Sequence, residues 1–198
     1  MKILHLISSP RSGASFSIKL GNEIVERLKL KYPGSTVTIH DLTNAAFPHL
    51  EEVHLTSFMT PPEERSQELD EAVKHSEEAI AELMDADIIV IGVPMYNFGI
   101  HSTLKAWMDH VMRAGRTFSY SAAGPEGLVK NKKVYLAVAS GAVYSEGAWA
   151  SYDFTVPYLQ KALGFIGLTD MTVCRIEGTS IPEIKDTAWA KAVAQIGI

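Results

Sequence analysis

Three segments of this chain carry side chains able to do chemistry, and each follows a run of strand-forming residues. Pro94-Met95-Tyr96-Asn97-Phe98-Gly99-Ile100 trails the apolar run Ile88–Val93. Two aromatics, a thioether, an amide and a glycine suit a flat ring with polar edges. Met95, Tyr96 and Phe98 supply contact to its faces, and Asn97 with nearby backbone reaches its heteroatoms. Alternatively, the same residues are an ordinary turn with core aromatics. Ser8-Ser9-Pro10-Arg11-Ser12-Gly13-Ala14-Ser15-Phe16-Ser17 trails Ile3–Ile7 and opens a helical pattern. A helix start offers unpaired N–H groups and a positive dipole end to an anion. Ser9, Ser15 and Ser17 add hydroxyl donors, although serines here also serve as caps and turn formers. Arg11 reads either as a charge-assisted phosphate contact or as a solvated loop arginine. Finally, Ala139-Ser140-Gly141-Ala142 trails Lys133–Ala139. Its small residues let backbone N–H groups approach an oxygen on which charge develops.

Neither G-x-G-x-x-G nor G-x-x-x-x-G-K-[ST] occurs in the chain, so a dinucleotide fingerprint and a P-loop lack support. A single phosphate held by hydroxyls and amides, next to a place for a flat ring, points to a flavin mononucleotide.

The elements that must position these loops alternate along the chain. Strand patterns cover residues 3–7, 36–42, 87–93, 133–139 and 171–176. Helical patterns cover 15–31, 63–84, 102–112, 156–163 and 184–196. The unbroken β-branched run before Pro94 implies a strand buried on both faces, while Thr36–Leu42 alternates and suits a sheet edge. Residues 43–62, closed by Pro61-Pro62, and residues 114–131 read as long loops. Glu63-Glu64-Arg65 reads as a solvated helix start. Strands alternating with helices imply an α/β, doubly wound parallel sheet, in either the flavodoxin-like order 2-1-3-4-5 or a Rossmann-like order. Ligands of such sheets bind outside the carboxyl ends of the strands, where all three loops fall.

At 198 residues, with a net charge of −5, the chain is expected to form one domain spanning 1–198, with no nucleic-acid footprint and no membrane span. One cysteine, Cys174, excludes an internal disulfide framework, and a cytoplasmic setting is the default. Seven histidines show no ligand spacing for zinc or iron, so no metal is expected. Cys174 reads as a small core hydrophobe.

With these motifs the chain resembles the FMN-dependent NADH azoreductases, also called NADH:quinone oxidoreductases. The resemblance rests on the phosphate loop, on Pro94–Ile100 running into Leu104-Lys105-Ala106-Trp107, and on Gly115-Arg116-Thr117-Phe118. It rests also on Gly124-Pro125-Glu126-Gly127-Leu128 and Leu163-Gly164-Phe165-Ile166-Gly167-Leu168. It implies a flavodoxin-like fold, with order 2-1-3-4-5 and helices on both faces. A homodimer is implied as well, with one non-covalent FMN per subunit and the active site at the interface. Hydride would pass from NADH or NADPH, through FMN, to quinones and aromatic azo compounds in a ping-pong sequence. By matching positions, Ser9, Ser15, Phe16 and Ser17 would hold the phosphate, and Met95, Tyr96, Asn97 and Phe98 would contact the ring. Ala139, Ser140, Gly141 and Ala142 would meet its pyrimidine edge. Phe118, Tyr120 and Phe165 would wall the substrate pocket. No side chain is expected to act as a catalytic acid or nucleophile, because the flavin carries the chemistry. Many relatives have glycine where Ala142 stands, so a positive φ there would strain alanine.

The rival reading is a flavodoxin-type single-electron carrier, which would be smaller, more acidic and equipped with a charged docking face. A phosphoacceptor signalling domain would need an acidic cluster at the strand ends, where Ser8-Ser9 and Pro94-Met95 stand instead.

Overall fold

The computed structural model describes all 198 residues. Seven strands form: β1 (Lys2–Ile7), β2 (Thr36–Asp41), β3 (Ile88–Pro94), β4 (Phe118–Ser121), β5 (Gly124–Gly127), β6 (Lys133–Ala139) and β7 (Asp170–Ile176). Six helices accompany them: α1 (Phe16–Lys31), α2 (Glu52–Met59), α3 (Gln67–Asp85), α4 (Ser102–Val111), α5 (Val156–Phe165) and α6 (Lys185–Ala194).

Five strands build one parallel sheet in the order β2-β1-β3-β6-β7. Counting sheet strands alone, this is 2-1-3-4-5, the flavodoxin-like order, and the Rossmann-like alternative is set aside. β3 is central and buried at every position, as its unbroken apolar run requires, whereas β2 lies on the edge. One face packs α1 and α6 through Leu20, Ile24, Leu28, Ala188 and Ala192. The other packs α3, α4 and α5 through Ile80, Leu83, Leu104, Trp107, Leu159 and Leu163.

Both long connections hold structure that the pattern reading does not anticipate. Within residues 43–62, Glu51 starts α2 with a capping box, in which His54 Nδ1 accepts the Glu51 N–H at 3.0 Å. Within 114–131, β4 and β5 pair as an antiparallel hairpin. The expected helix from Glu63 begins instead at Gln67. Pro62–Glu64 is a short 3₁₀ turn, and Ser66 caps α3 by accepting the Leu69 N–H. Arg65 is tied back rather than solvated, its Nε donating to the carbonyls of Ser57 and Thr60 at 3.1 Å.

Two buried titratable groups sit in the core beneath α1. Cys174 is fully buried, and burial pushes its thiol up, which suits a packing residue rather than a reactive one. His5 of β1 faces α1 where Gly21 leaves room, since a Cβ on Gly21 would lie 2.6 Å from His5 Nε2. Burial pushes this imidazole down to about 4. The neutral ring is therefore the native form, so its contribution to stability is full above the ordinary value of 6.5 and is lost as pH falls toward 4. At full protonation the loss is about 3 kcal/mol. Urea midpoints measured from pH 7 down to 4 are expected to fall, and His5→Gln to flatten part of that fall. Equal slopes for both proteins would disprove the assignment.

Candidate functional site

The three chemistry-bearing loops converge where expected, at the carboxyl ends of β1, β3 and β6. There they enclose a cleft of about 180 Å³. Ser9, Arg11, Ser15 and Phe16 line one end, Pro94, Met95 and Tyr96 a side, and Ala139, Ser140 and Gly141 the other.

At the first end, Ser15 caps α1 and its Oγ accepts the Ile18 N–H at 3.4 Å. Ser17 lies fully buried beneath it, the two hydroxyls 3.0 Å apart. Ser9 Oγ accepts the Arg11 N–H at 3.4 Å. The N–H groups of Phe16 and Ser17, in the first turn of α1, have no acceptor within the helix. The Ser9 and Ser15 hydroxyls, the dipole end and one guanidinium thus meet at one end of the cleft, the chemistry of an anion seat, while the Ser17 hydroxyl stands behind Ser15 outside the lining. Arg11, read from sequence with two roles open, lines the cleft.

Along the side, Tyr96 and Gly99 exchange both backbone hydrogen bonds at 3.0 Å, making Asn97-Phe98 a two-residue turn. Both central residues have positive φ, 48° and 69°. That is the type I′ geometry, which asparagine tolerates and phenylalanine rarely adopts. Strain is therefore held at Phe98. Its carbonyl accepts the Phe154 N–H at 3.1 Å and the Thr155 hydroxyl at 3.4 Å, and its ring packs on Tyr152. Asn97 and Phe98 stand at the mouth rather than in the wall, and their N–H groups donate to nothing in the chain.

On the far side, the N–H groups of Gly141 and Ala142 are likewise free. Ala142 does not have a positive φ, so alanine is accommodated there without the strain considered above. The segment is fastened by a strap after β7 that sequence reading missed. Thr179 Oγ1 donates to the Ser140 carbonyl at 3.0 Å and the Ser180 N–H to that of Gly141 at 2.9 Å. Thr179 and Ser180 also line the cleft. The available signal was position: β7 is parallel to the others, so Gly178-Thr179-Ser180 leaves it at the same edge.

Phe118, Tyr120 and Phe165 do cluster, with Phe118 at 4.8 Å from Phe165 and 5.6 Å from Tyr120 between ring centroids. Within one chain, however, they lie away from the cleft. α4 and α5 run back to the amino edge of the sheet, and the β4–β5 hairpin and the end of α5 sit there. A strand's length, roughly 20 Å, separates the two edges. Tyr120 is 71% exposed at the hairpin. Exposed aromatics also rim the cleft mouth, among them Trp149, Tyr152 and Phe154. No helix is long and apolar enough to cross a membrane.

Comparison with known proteins agrees with this architecture. The family model Flavodoxin_2, described as flavodoxin-like fold, matches residues 1–197. An FMN-dependent NADH:quinone oxidoreductase of Mesorhizobium japonicum is 43% identical, over 99% of this chain and 94% of its own. One from Herminiimonas arsenicoxydans is 48% identical over 91% and 88%. Among solved structures, an azoreductase from Bacillus anthracis superposes with a TM-score of 0.89 at 30% identity, over 99% of this chain and 95% of its own. An FMN-dependent NADH-azoreductase from the same species, solved in complex with FMN, gives 0.86 at 25% over 99% and 98%.

Proposed function

This chain belongs to the Flavodoxin_2 family alongside FMN-dependent NADH:quinone oxidoreductases and azoreductases, and from that premise we propose that it reduces quinones and aromatic azo compounds with NADH through FMN bound in the three-loop cleft. The observation that carries this reading is the pairing, in one cleft, of an anion seat with a ring-sized shelf whose edges offer free N–H donors. Bound FMN would supply the redox chemistry, two-electron transfer between nicotinamide and acceptor.

The chain's own residues bind and orient. Ser9, Ser15 and the Phe16 and Ser17 N–H groups hold the phosphate, neutralised by the α1 dipole and Arg11. Met95, Tyr96 and the Asn97-Phe98 turn support the ring. The Gly141 and Ala142 N–H groups face its pyrimidine edge, where donors favour negative charge on the reduced ring. Ser140 and the Thr179–Ser180 strap hold those donors in place. Because the sheet edge closes one side, donor and acceptor share the open face and must use it in turn, the condition for ping-pong kinetics. Arg11 is the one charged residue lining the cleft. Committed to the phosphate of FMN, it leaves no cation for the 2′-phosphate of NADPH, which favours NADH.

The cleft is smaller than the roughly 300–1,000 Å³ of pockets that enclose a whole ligand. A second copy completes it. A two-fold axis perpendicular to the strands reverses their direction in the partner, bringing the amino-edge hairpin of one chain beside the carboxyl-edge cleft of the other, twice. Phe118, Tyr120 and Phe165 then wall the substrate pocket in trans. The aromatic mouth argues against a single-electron carrier, which needs a charged docking face.

Ser9→Ala is expected to raise the FMN dissociation constant about tenfold by removing one hydrogen bond to a charged group. Riboflavin, which lacks the phosphate, should bind both proteins equally. Flavin-fluorescence titration reads both. A purified protein that takes up no FMN, or that does not oxidise NADH with a quinone when loaded, would end the proposal.

A further inference from the structure

The strained Asn97-Phe98 turn is held from outside by two loops, and both are fastened to one guanidinium. Arg175 of β7 is largely buried. Its Nη2 donates to Asp153 Oδ2 at 2.6 Å and its Nη1 to Glu177 Oε1 at 3.4 Å, both carboxylates being nearly buried themselves. The second oxygen of Asp153 accepts the N–H groups of Thr155 and Val156 at 2.9 and 3.0 Å, fixing the start of α5. Glu177 Oε1 accepts the N–H groups of Tyr144 and Ser145 at 2.8 and 3.0 Å. Each tethered loop then touches Phe98. Phe154 N–H and Thr155 Oγ1 donate to its carbonyl, and Tyr144 and Tyr152 pack on its ring.

We propose that Arg175 is a positioning residue for the flavin: through Asp153 and Glu177 it holds the loops that keep Phe98 at positive φ and so present the Asn97-Phe98 turn to the ring. The inference rests on the FMN reading above. A turn that carries strain persists only where its surroundings over-determine it. Here the over-determination converges on a residue that does not line the cleft. Removing the guanidinium leaves two facing carboxylates without a cation, and both tethers loosen together. The phosphate seat at α1 is on the other side of the cleft and is untouched.

The test compares the wild type with Arg175→Met, Arg175→Lys and Thr155→Val. The last removes only the hydroxyl bond to the Phe98 carbonyl and leaves the ion network whole, so it remains informative if Arg175→Met fails to fold. In FMN-free protein, amide hydrogen exchange across residues 95–99 is expected to quicken in Arg175→Met and, less strongly, in Thr155→Val. With flavin added, Arg175→Met should bind FMN and riboflavin about tenfold more weakly alike, with altered visible circular dichroism of the bound ring. Thr155→Val should show about a threefold change in the same direction, and Arg175→Lys should recover most of the loss. Unchanged exchange over 95–99, or wild-type flavin dichroism in both Arg175→Met and Thr155→Val despite a lower Tm, overturns the proposal. The exchange result needs no flavin, so a wild type that binds no FMN would sink the functional reading while leaving the turn's support separately decided.

Discussion

Gly127→Ala is expected to lower stability by about 3–5 kcal/mol and to abolish quinone turnover while leaving FMN binding nearly intact. Gly127 ends β5 where the hairpin crosses the turn between α5 and β7. A Cβ there would lie 2.2 Å from the Gly167 nitrogen and 2.3 Å from the Ile166 carbonyl carbon. These are backbone atoms and cannot swing aside. Gly167 is constrained in its turn by a φ of 106° and by the Val129 carbonyl, 2.8 Å from where its own Cβ would stand. Either the hairpin lifts or the α5–β7 turn unravels. Lifting the hairpin displaces Phe118 from Phe165 and, on the proposed dimer, carries Tyr120 away from the partner's cleft. In a chain of this length the destabilisation corresponds to a Tm drop of roughly 10 °C. Thermal melts, FMN titration and quinone kinetics on one preparation separate the outcomes. A variant with wild-type Tm and wild-type turnover would mean that the two backbones do not meet as described.

This contact also shows why part of the fold was legible in the sequence and part was not. β3 could be read from Ile88–Val93 because burial on both faces leaves an unbroken apolar run, and α4 because Leu104, Trp107, Met108 and Val111 repeat at helical spacing. The β4–β5 hairpin has no such signature. Phe118-Ser119-Tyr120-Ser121 alternates over only four residues and Gly124–Gly127 carries no apolar side chain but Pro125, and what fixes them is a glycine-on-glycine approach forty residues apart. Likewise α2 hides between prolines, and its start depends on a Glu51–His54 capping box outside the usual Ser/Thr-x-x-Glu form.

The candidate site divides the same way. The loops after β1, β3 and β6 could be read because strand ends are where such sheets bind ligands. The Thr179–Ser180 strap was missed because its role depends on hydrogen bonds to residues 140 and 141, invisible without the β6–β7 pairing. The type I′ turn was missed because Asn97 is followed by phenylalanine rather than glycine. Phe98 is held at positive φ by residues 152–155, not by its own preference.

Arg113→Met should have the second large effect, about 3 kcal/mol at neutral pH, because it removes the buried one of the two guanidiniums paired with Glu77, at the root of the same hairpin, and leaves Glu77 only the exposed Arg116. Arg113 Nη1 donates to Ser76 Oγ and Glu77 Oε1, each at 2.9 Å, and the guanidinium stacks 4.4 Å from the Phe58 ring centroid. Its own N–H donates to Thr117 Oγ1 at 3.0 Å, which in turn donates to the Val111 carbonyl, so the turn into β4 hangs from this residue. Burial alone would raise the Glu77 carboxyl, but hydrogen bonds from Arg116 and Arg113 outweigh it and hold the group below its ordinary 4.5. A depressed carboxylate contributes its stability above that ordinary value and loses it as pH falls through the lowered one. The difference in urea midpoint between wild type and variant should therefore be largest at pH 7 and narrow as pH drops below about 4.5, once Glu77 takes a proton. On the reading that the hairpin serves the partner's cleft, KM for quinone should rise several-fold with the FMN dissociation constant unchanged. A stability gap that stays constant with pH would remove Glu77 from the account. A KM that does not move would separate Arg113 from the substrate side and leave it a purely structural clasp between α2, α3 and α4.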